Sequence, residues 1–232
     1  MLIRWILRRL ILLALSLLCK IKVDGRENLP KTGPLLIVGN HFHFVDPVVM
    51  IGLMPDKLEF VGGTQMPDAP PFVRFIPKLY GLLPVRRGSL SRDTLTMAKQ
   101  VLDQKGRLAM FPEAGSWLNL LRRARPGAAY LATTVNSKLC PVSILGVDSV
   151  FNLFKTGKRG LIEIKIGEPF GPYYVGEKGE RDRTKLDEIS LEIMTKISEL
   201  LPDDRRGFLS SLETIRKKVE DSPYPWANEQ EK

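Results

Sequence analysis

The sequence predicts an α/β fold, a single domain with a mostly parallel central sheet flanked by helices, and three observations carry this. Short apolar runs bounded by glycine and proline recur along the chain, as strands buried on both faces of a parallel sheet require. The clearest amphipathic helix, Ser91 to Gln104, stands between two such runs, so the order strand, helix, strand is explicit. A length of 232 residues with 44% hydrophobic content suffices to cover one sheet on both faces within one domain of ordinary size.

Taken in order, Leu2 to Cys19 is the first element. Its uninterrupted apolar part, Leu10 to Cys19, is about 15 Å of helix, roughly half of a hydrocarbon core, so it is too short to span a bilayer comfortably. Basic residues flank it on both sides (Arg4, Arg8 and Arg9 before; Lys20, Lys22 and Arg26 after), which suits a helix lying in the membrane interface, with Arg4, Arg8 and Arg9 expected to meet anionic headgroups, and sets no clear orientation. No small-residue cleavage site follows it, against a secretory signal. The expected organisation is a membrane-associating helix over residues 1–22, a folded domain over 23–221 and a polar tail over 222–232. Lys20 to Lys31 reads as a polar connector, and the domain from Lys31 has enough apolar residues to fill its own core without the helix.

Pro34 to Gly39 then reads as the first core strand, and Asp46-Pro47 as the start of a helix running to about Met54, because proline tolerates the first helical turn. Leu58 to Gly62 is a second strand. Phe72 to Tyr80 carries apolar residues at helical spacing, and Gly81 to Val85 is a third strand whose Pro84 points to an edge position. Arg107 to Phe111, Leu139 to Leu145 and Leu161 to Ile166 complete the strands. The last alternates, as an antiparallel or edge strand with one wet face does. Helices are expected from about Gly127 to Asn136 and, with an amphipathic pattern, from Lys185 to Leu201.

Net charge of +9 and a pI near 9.6 fit nucleic acid, an anionic membrane surface or a phosphorylated substrate. Alternating aromatic and basic stretches, which a single-stranded nucleic-acid site would use, are absent. Cys19 and Cys140 are too few and too far apart for a disulfide framework or a zinc site, and they fit a reducing compartment, hence the cytoplasmic face of a membrane. No metal or other cofactor is expected.

The chemistry gathers where strands empty into turns, the edge at which open α/β sheets bind ligands. Gly39-Asn-His-Phe-His-Phe-Val-Asp-Pro47 holds both histidines of the chain. Residues five apart sit on different faces of a continuous helix, so His41 and Asp46 can meet only across a turn, and the strand-turn-helix reading supplies it. Asp46 can then hold one imidazole nitrogen, or serve as a plain helix N-cap, and leave the other nitrogen of His41 as a general base. His43 is read as a lining or structural residue. Arg86 and Arg87 leave a second strand, suited to a phosphate by bidentate geometry. Glu113 and Gly115 leave a third, where glycine lets backbone amides approach an oxyanion. Arg122, Arg123 and Arg125 are read as a solvated or membrane-facing basic patch.

These residues resemble the glycerophospholipid acyltransferases, typified by 1-acylglycerol-3-phosphate acyltransferase. Asn40-His41-x4-Asp46 matches the family's first motif, Gly81 to Arg87 the second, Phe111-Pro-Glu113 the third and Cys140-Pro-Val-Ser-Ile144 the fourth, over roughly Gly25 to Gly167. The resemblance implies that His41 deprotonates the acceptor hydroxyl and Asp46 orients it. Asn40, Arg86, Arg87, Glu113 and Gly115 are then substrate-binding residues, Arg87 and Glu113 holding glycerol phosphate. The implied co-substrates are acyl-CoA or acyl carrier protein and a lysophospholipid, above all 1-acylglycerol 3-phosphate, with phosphatidic acid as product and no nucleic-acid partner. Glycerol 3-phosphate or another lysolipid is the alternative acceptor. A lipid hydrolase would lack a Gly-x-Ser-x-Gly elbow, and a basic lipid-binding module would leave the His41–Asp46 spacing unexplained. Where the family has Phe-Pro-Glu-Gly-Thr-Arg, this chain has Ala114 at the glycine and Trp117 near the arginine. Gly115 is expected to substitute for the glycine, and the nearby arginines for the charge; Arg86 stands where an Asp is frequent.

Overall fold

The structure is a computed structural model, and it describes residues 2–54, 58–63, 76, 79–85, 92–135, 137–173 and 183–222. Seven strands among these form one sheet: β1 (Cys19–Asp24), β2 (Leu35–Gly39), β3 (Leu58–Gly63), β4 (Leu83–Val85), β5 (Arg107–Met110), β6 (Lys138–Leu145) and β7 (Gly160–Ile166). Their order is β1-β7-β6-β2-β5-β3-β4, and all neighbours are parallel except β6 and β7. Helices α1 (Leu2–Leu18), α2 (Asp46–Leu53), α3 (Arg92–Asp103), α4 (Gly127–Thr134), α5 (Asn152–Thr156), α6 (Arg183–Ser198) and α7 (Glu213–Glu220) surround it.

β2 shows why the layers form. All five of its residues are buried, and successive side chains of a strand point to opposite faces. Leu35 and Ile37 join a cluster with α1 and α2, whereas Leu36 and Val38 join one with α3, α4 and α6. A strand with no wet face must be apolar throughout. β2 also lies between β5 and β6, where the chain's crossovers diverge to either side, so the turn that follows it opens into the crevice at the sheet's carboxyl edge. Pro84 falls in the edge strand, as expected, since an edge leaves its missing N–H without a ladder partner to lose. β7 alternates buried and exposed residues and runs antiparallel to β6, but it is interior, because β1 covers its other side.

That last contact corrects the reading of Lys20 to Lys31 as a connector. Cys19–Asp24 pairs with β7 from Cys19 opposite Gly160 to Asp24 opposite Lys165. Cys19, Ile21 and Val23 alternate with Lys20, Lys22 and Asp24, a period-two pattern that charge disguises. The expected boundary at residue 22 therefore falls inside a strand of the domain.

Helix α1 is likewise part of the fold rather than an appendage. Ile11 and Leu15 are buried in the core, and α1 packs on α2 at Gly52, where a Cβ would stand 2.8 Å from Ile11 Cγ2. Arg4 bonds to Glu59 and to the carbonyls of Tyr80 and Gly81, and Arg8 donates to Met54 O at 2.7 Å. The apolar cluster Phe72 to Tyr80 lies largely outside the described residues, as does the tail beyond residue 222.

If α1 belongs to the core, Leu15→Ala should cost about 2–4 kcal/mol in urea unfolding, the range for emptying a buried leucine site. Leu13→Ala, on the exposed face, should stay within about 0.5 kcal/mol. Equal, small effects at both positions would show that the helix can leave without disturbing the domain.

Candidate active site

The site is assembled from the turn after β2. Pairing of β2 with β6 ends at Gly39 opposite Val142, and the side chain of Asn40 continues it. Its Oδ1 accepts from Ile144 N at 2.8 Å and its Nδ2 donates to Ile144 O at 2.9 Å, with no surface exposed. Asn40 is therefore not available to substrate, contrary to expectation: both faces of its amide are spent on aiming the chain as it leaves the sheet.

His41 follows, held at three points. Its backbone N–H donates to Glu113 Oε1 at 2.7 Å, its ring stacks on Phe111 with centroids 4.3 Å apart and planes 13° from parallel, and its Nδ1 lies 3.1 Å from Asp46 Oδ2. A carboxylate only accepts, so Nδ1 carries a proton, and in the neutral imidazole Nε2 keeps its lone pair. Nε2 makes no hydrogen bond among the described residues, and the side chain retains 15% exposure.

Asp46 does more than hold the ring. The same Oδ2 accepts the N–H groups of Phe42 and His43, each at 2.7 Å, so the loop is wrapped around one oxygen. The helix begins at Asp46 as expected, but the carboxylate does not cap it; Val45 occupies the cap position without a side-chain bond, and Asp46 turns back toward the preceding loop. Its Oδ1 has no partner among the described residues, and Asp46 lines a cavity of about 190 Å3 with Phe42, His43, Asn119, Asp148 and Arg205. His43 is the lining residue expected. Its ring lies against Phe44, centroids 4.3 Å apart and tilted by 32°, its Nδ1 accepts from Val45 N at 3.3 Å, and burial pushes its imidazole below the usual range.

Glu113 departs from expectation. Its side chain is fully buried, with Oε1 on His41 N and Oε2 accepting Arg122 N at 3.0 Å and Nε at 3.3 Å, so it holds protein rather than glycerol phosphate. Gly115 does not replace the motif's glycine either. Ala114 itself adopts the left-handed conformation, at φ 60°, and Gly115 contributes its carbonyl to Arg122 Nη2 rather than an amide to an oxyanion. Arg122 leaves the basic patch altogether: it is buried, with its guanidinium 3.3 Å from the centre of the Trp117 ring, while Arg123 stays exposed over Phe208. No spacing in the sequence marks Arg122, and only the buried neighbours Leu120 and Leu121 hint at it. Arg86 and Arg87 lie outside the described residues, following β4 in the chain.

Burial pushes the Glu113 carboxyl from its ordinary 4.5 up to about 7, against the pull of Arg122 and of the two backbone N–H groups. The folded protein therefore holds a proton that the unfolded chain has released between about 4.5 and 7. The stability this adds is full below that window and is lost as pH rises through it, at most on the order of 3 kcal/mol. Glu113→Gln should remove this component, so that raising the pH across the window destabilises the wild type more than the variant in urea titrations. Parallel profiles would show that the carboxyl is not shifted.

Comparison with known proteins agrees with this geometry. A sequence model of the family described as Acyltransferase matches residues 20–145, which run from β1 to the end of β6 and contain Asn40, His41, Asp46, Phe111, Glu113 and Arg122. The 1-acyl-sn-glycerol-3-phosphate acyltransferase of Bacillus subtilis (strain 168) is 27% identical over 156 residues, 67% of this chain and 76% of the relative. The protein of the same description from Borreliella burgdorferi is 25% identical over 138 residues, 57% of this chain and 54% of the relative. In fold, the chain is similar to the crystal structure of the 1-acyl-sn-glycerophosphate (LPA) acyltransferase PlsC from Thermotoga maritima, with TM-score 0.59 and 21% identity over 85% of this chain and 79% of that one. With a buried carboxylate fixing the tautomer of a histidine at the sheet's carboxyl edge, and with the family's sequence pattern laid over that edge, the chain belongs to the acyltransferase family.

Proposed function

We propose that this chain moves a fatty acyl group from a thioester, carried on coenzyme A or acyl carrier protein, to the free hydroxyl of 1-acylglycerol 3-phosphate, giving phosphatidic acid on the cytoplasmic face of a membrane. The observation that carries the reaction is the His41–Asp46 pair, with Nδ1 committed at 3.1 Å and Nε2 unengaged. His41 Nε2 takes the hydroxyl proton as the oxygen attacks the thioester carbonyl; the C–O bond forms, the C–S bond breaks, and the imidazolium returns the proton to the departing thiolate. Asp46 stabilises the transient positive charge without accepting the proton. A thioester is already activated, so this sequence of steps needs no metal. What supports the acceptor is the description shared by the two curated relatives.

Helix α1 supports the membrane. No helix among the described residues is long and apolar enough to cross a bilayer. The face of α1 opposite Ile11 and Leu15 nevertheless exposes Leu2, Ile3, Ile6, Leu10, Leu13 and Leu17, each at least 43% accessible, with Trp5 beside them. A helix apolar on both sides has one face in the core and needs a second apolar phase for the other. Of the three arginines expected at lipid headgroups, Arg4 and Arg8 are turned inward, and Arg9 alone stays outward, over the Trp5 ring. The apolar contribution thus outweighs the charge contribution of about 1 kcal/mol per basic residue.

Purified protein given labelled acyl-CoA or acyl carrier protein and a panel of lysophospholipids and glycerol 3-phosphate should yield phosphatidic acid fastest. Release of free fatty acid in place of an ester would sink the reading. His41→Ala should lower turnover roughly a hundred- to ten-thousand-fold, with Asp46→Asn nearly as severe, in proteins that still fold. For the surface, the triple variant Leu10→Gln, Leu13→Gln, Leu17→Gln should lose flotation with anionic vesicles, whereas 1 M salt should release little wild-type protein, because screening touches charges and not insertion. Salt release as complete as that of the triple variant would make the contact electrostatic.

A further inference from the structure

The Glu113–Arg122 pair has no part in the reaction as written, yet it is the most enclosed ion pair among the described residues, with side-chain exposures of 0% and 7%. Its surroundings are tight. Leu121 and Arg125, on either side of Arg122, are tied by backbone bonds to Arg205 O at 3.0 Å and to Pro112 O at 2.8 Å, and Arg122 is sandwiched between the Trp117 ring and Glu113. Burying two charges costs several kcal/mol per ion, and filling the same space with apolar side chains is often no worse for stability. Stability alone therefore gives little reason for the pair. Contact with an acceptor phosphate explains it poorly, since the carboxyl is wholly enclosed and the guanidinium side chain is only 7% exposed. What remains is the direction of the bonds: the carboxyl that Arg122 orients spends its other oxygen on the backbone N–H of His41.

We propose that Glu113 and Arg122, backed by Trp117, are positioning residues for the catalytic base, and that Arg122 supplies from nine residues downstream the charge that the family's third motif usually carries three residues after its glutamate, where this chain has Ser116. The third motif of this chain is thereby turned inward, away from the acceptor and onto the seat of His41. Asp46 and Phe111 fix the plane of the ring, while Glu113 fixes the Cα from which the ring hangs. A general base must stand within about 2.6–3.2 Å of its proton, and a displacement of about 1 Å can cost on the order of a hundredfold in rate. This inference rests on the acyltransferase reading above.

The test is a set of variants, Glu113→Gln, Arg122→Met, Arg122→Lys and the double Glu113→Gln/Arg122→Met, measured by steady-state kinetics with both substrates varied and by NMR of the His41 imidazole, identified by its absence in His41→Ala. Each of the first two should lower kcat about 10- to 100-fold with both KM values within about twofold, and should shift the His41 ring signal in substrate-free protein. The double variant should lose no more than the worse single one, and Arg122→Lys should recover most of what Arg122→Met loses. A rise in acceptor KM at unchanged kcat would overturn the proposal by placing the pair on the acceptor, and so would normal kcat with an unmoved ring signal. Should Arg122→Met fail to fold, Trp117→Leu perturbs the same guanidinium more gently and must show the same kcat loss and ring shift. The ring signal needs no substrate, so a wild type inactive toward every acceptor would remove the acyltransferase reading while leaving the seat of His41 measurable.

Discussion

One oxygen organises the site. Asp46 Oδ2 takes the N–H groups of Phe42 and His43 and the Nδ1–H of His41, and a residue that starts a helix is thereby also the hub of the loop before it. Three donors converging on one ionised acceptor in a buried place form charge-assisted bonds that are stronger than neutral ones and leave the loop few alternatives. The constraint works in both directions. It fixes the tautomer that leaves Nε2 of the neutral His41 ring with its lone pair, and it requires the chain to turn within the six residues between β2 and α2. The spacing of the motif is thus a property of the loop's hydrogen bonding before it is a property of catalysis.

Around that hub the structure uses neighbouring strands as anchors. Asn40 is fastened to β6, His41 through Glu113 to the segment after β5, and the ring of His41 to Phe111 at the end of β5. Because β2 lies between β5 and β6, His41 is braced from both sides by the two strands that flank its own. Parallel order makes this possible, since all three strands release their chains at the same edge. The groups that the chemistry uses directly are few, and the groups that hold them are spread over more than a hundred residues of sequence, from Asn40 to Ile144.

Much of this was legible in the sequence. Runs such as Leu35 to Gly39 and the turn before Asp46-Pro47 gave the strands, the helix starts and the meeting of His41 with Asp46, and Pro84 marked an edge. The misreadings share a physical cause. Polar type was taken for polar exposure: Asn40, Glu113 and Arg122 are polar and buried because each has its partners inside, and partners distant in sequence leave no local mark. Lys20 and Lys22 hid a strand in the same way, since their charges drew attention from the alternation of Cys19, Ile21 and Val23. Arg4 and Arg8, read as headgroup contacts, bond to carbonyls and to Glu59 instead, a use that a guanidinium with five donors allows and that composition does not reveal. At Ala114 the reading failed differently: the left-handed turn falls on Ala114 itself rather than on Gly115, at a cost of about 1–2 kcal/mol for a side chain in that region.

The junction of α1 with β1 has a bearing on how such a protein would meet its substrates. Leu18 ends the helix and Cys19 begins the strand with no residue between them, and Arg159 clasps the carbonyls of both Ser16 and Cys19. There is no hinge at this point. Whatever plane the outer face of α1 rests on, the sheet stands at a fixed angle to it, and the opening at its carboxyl edge points in one direction only. On the membrane reading proposed above, an enzyme so mounted would not search by tumbling; an amphiphilic acceptor would arrive by sliding within the plane, already oriented by its own polar head, and the encounter would become a two-dimensional one.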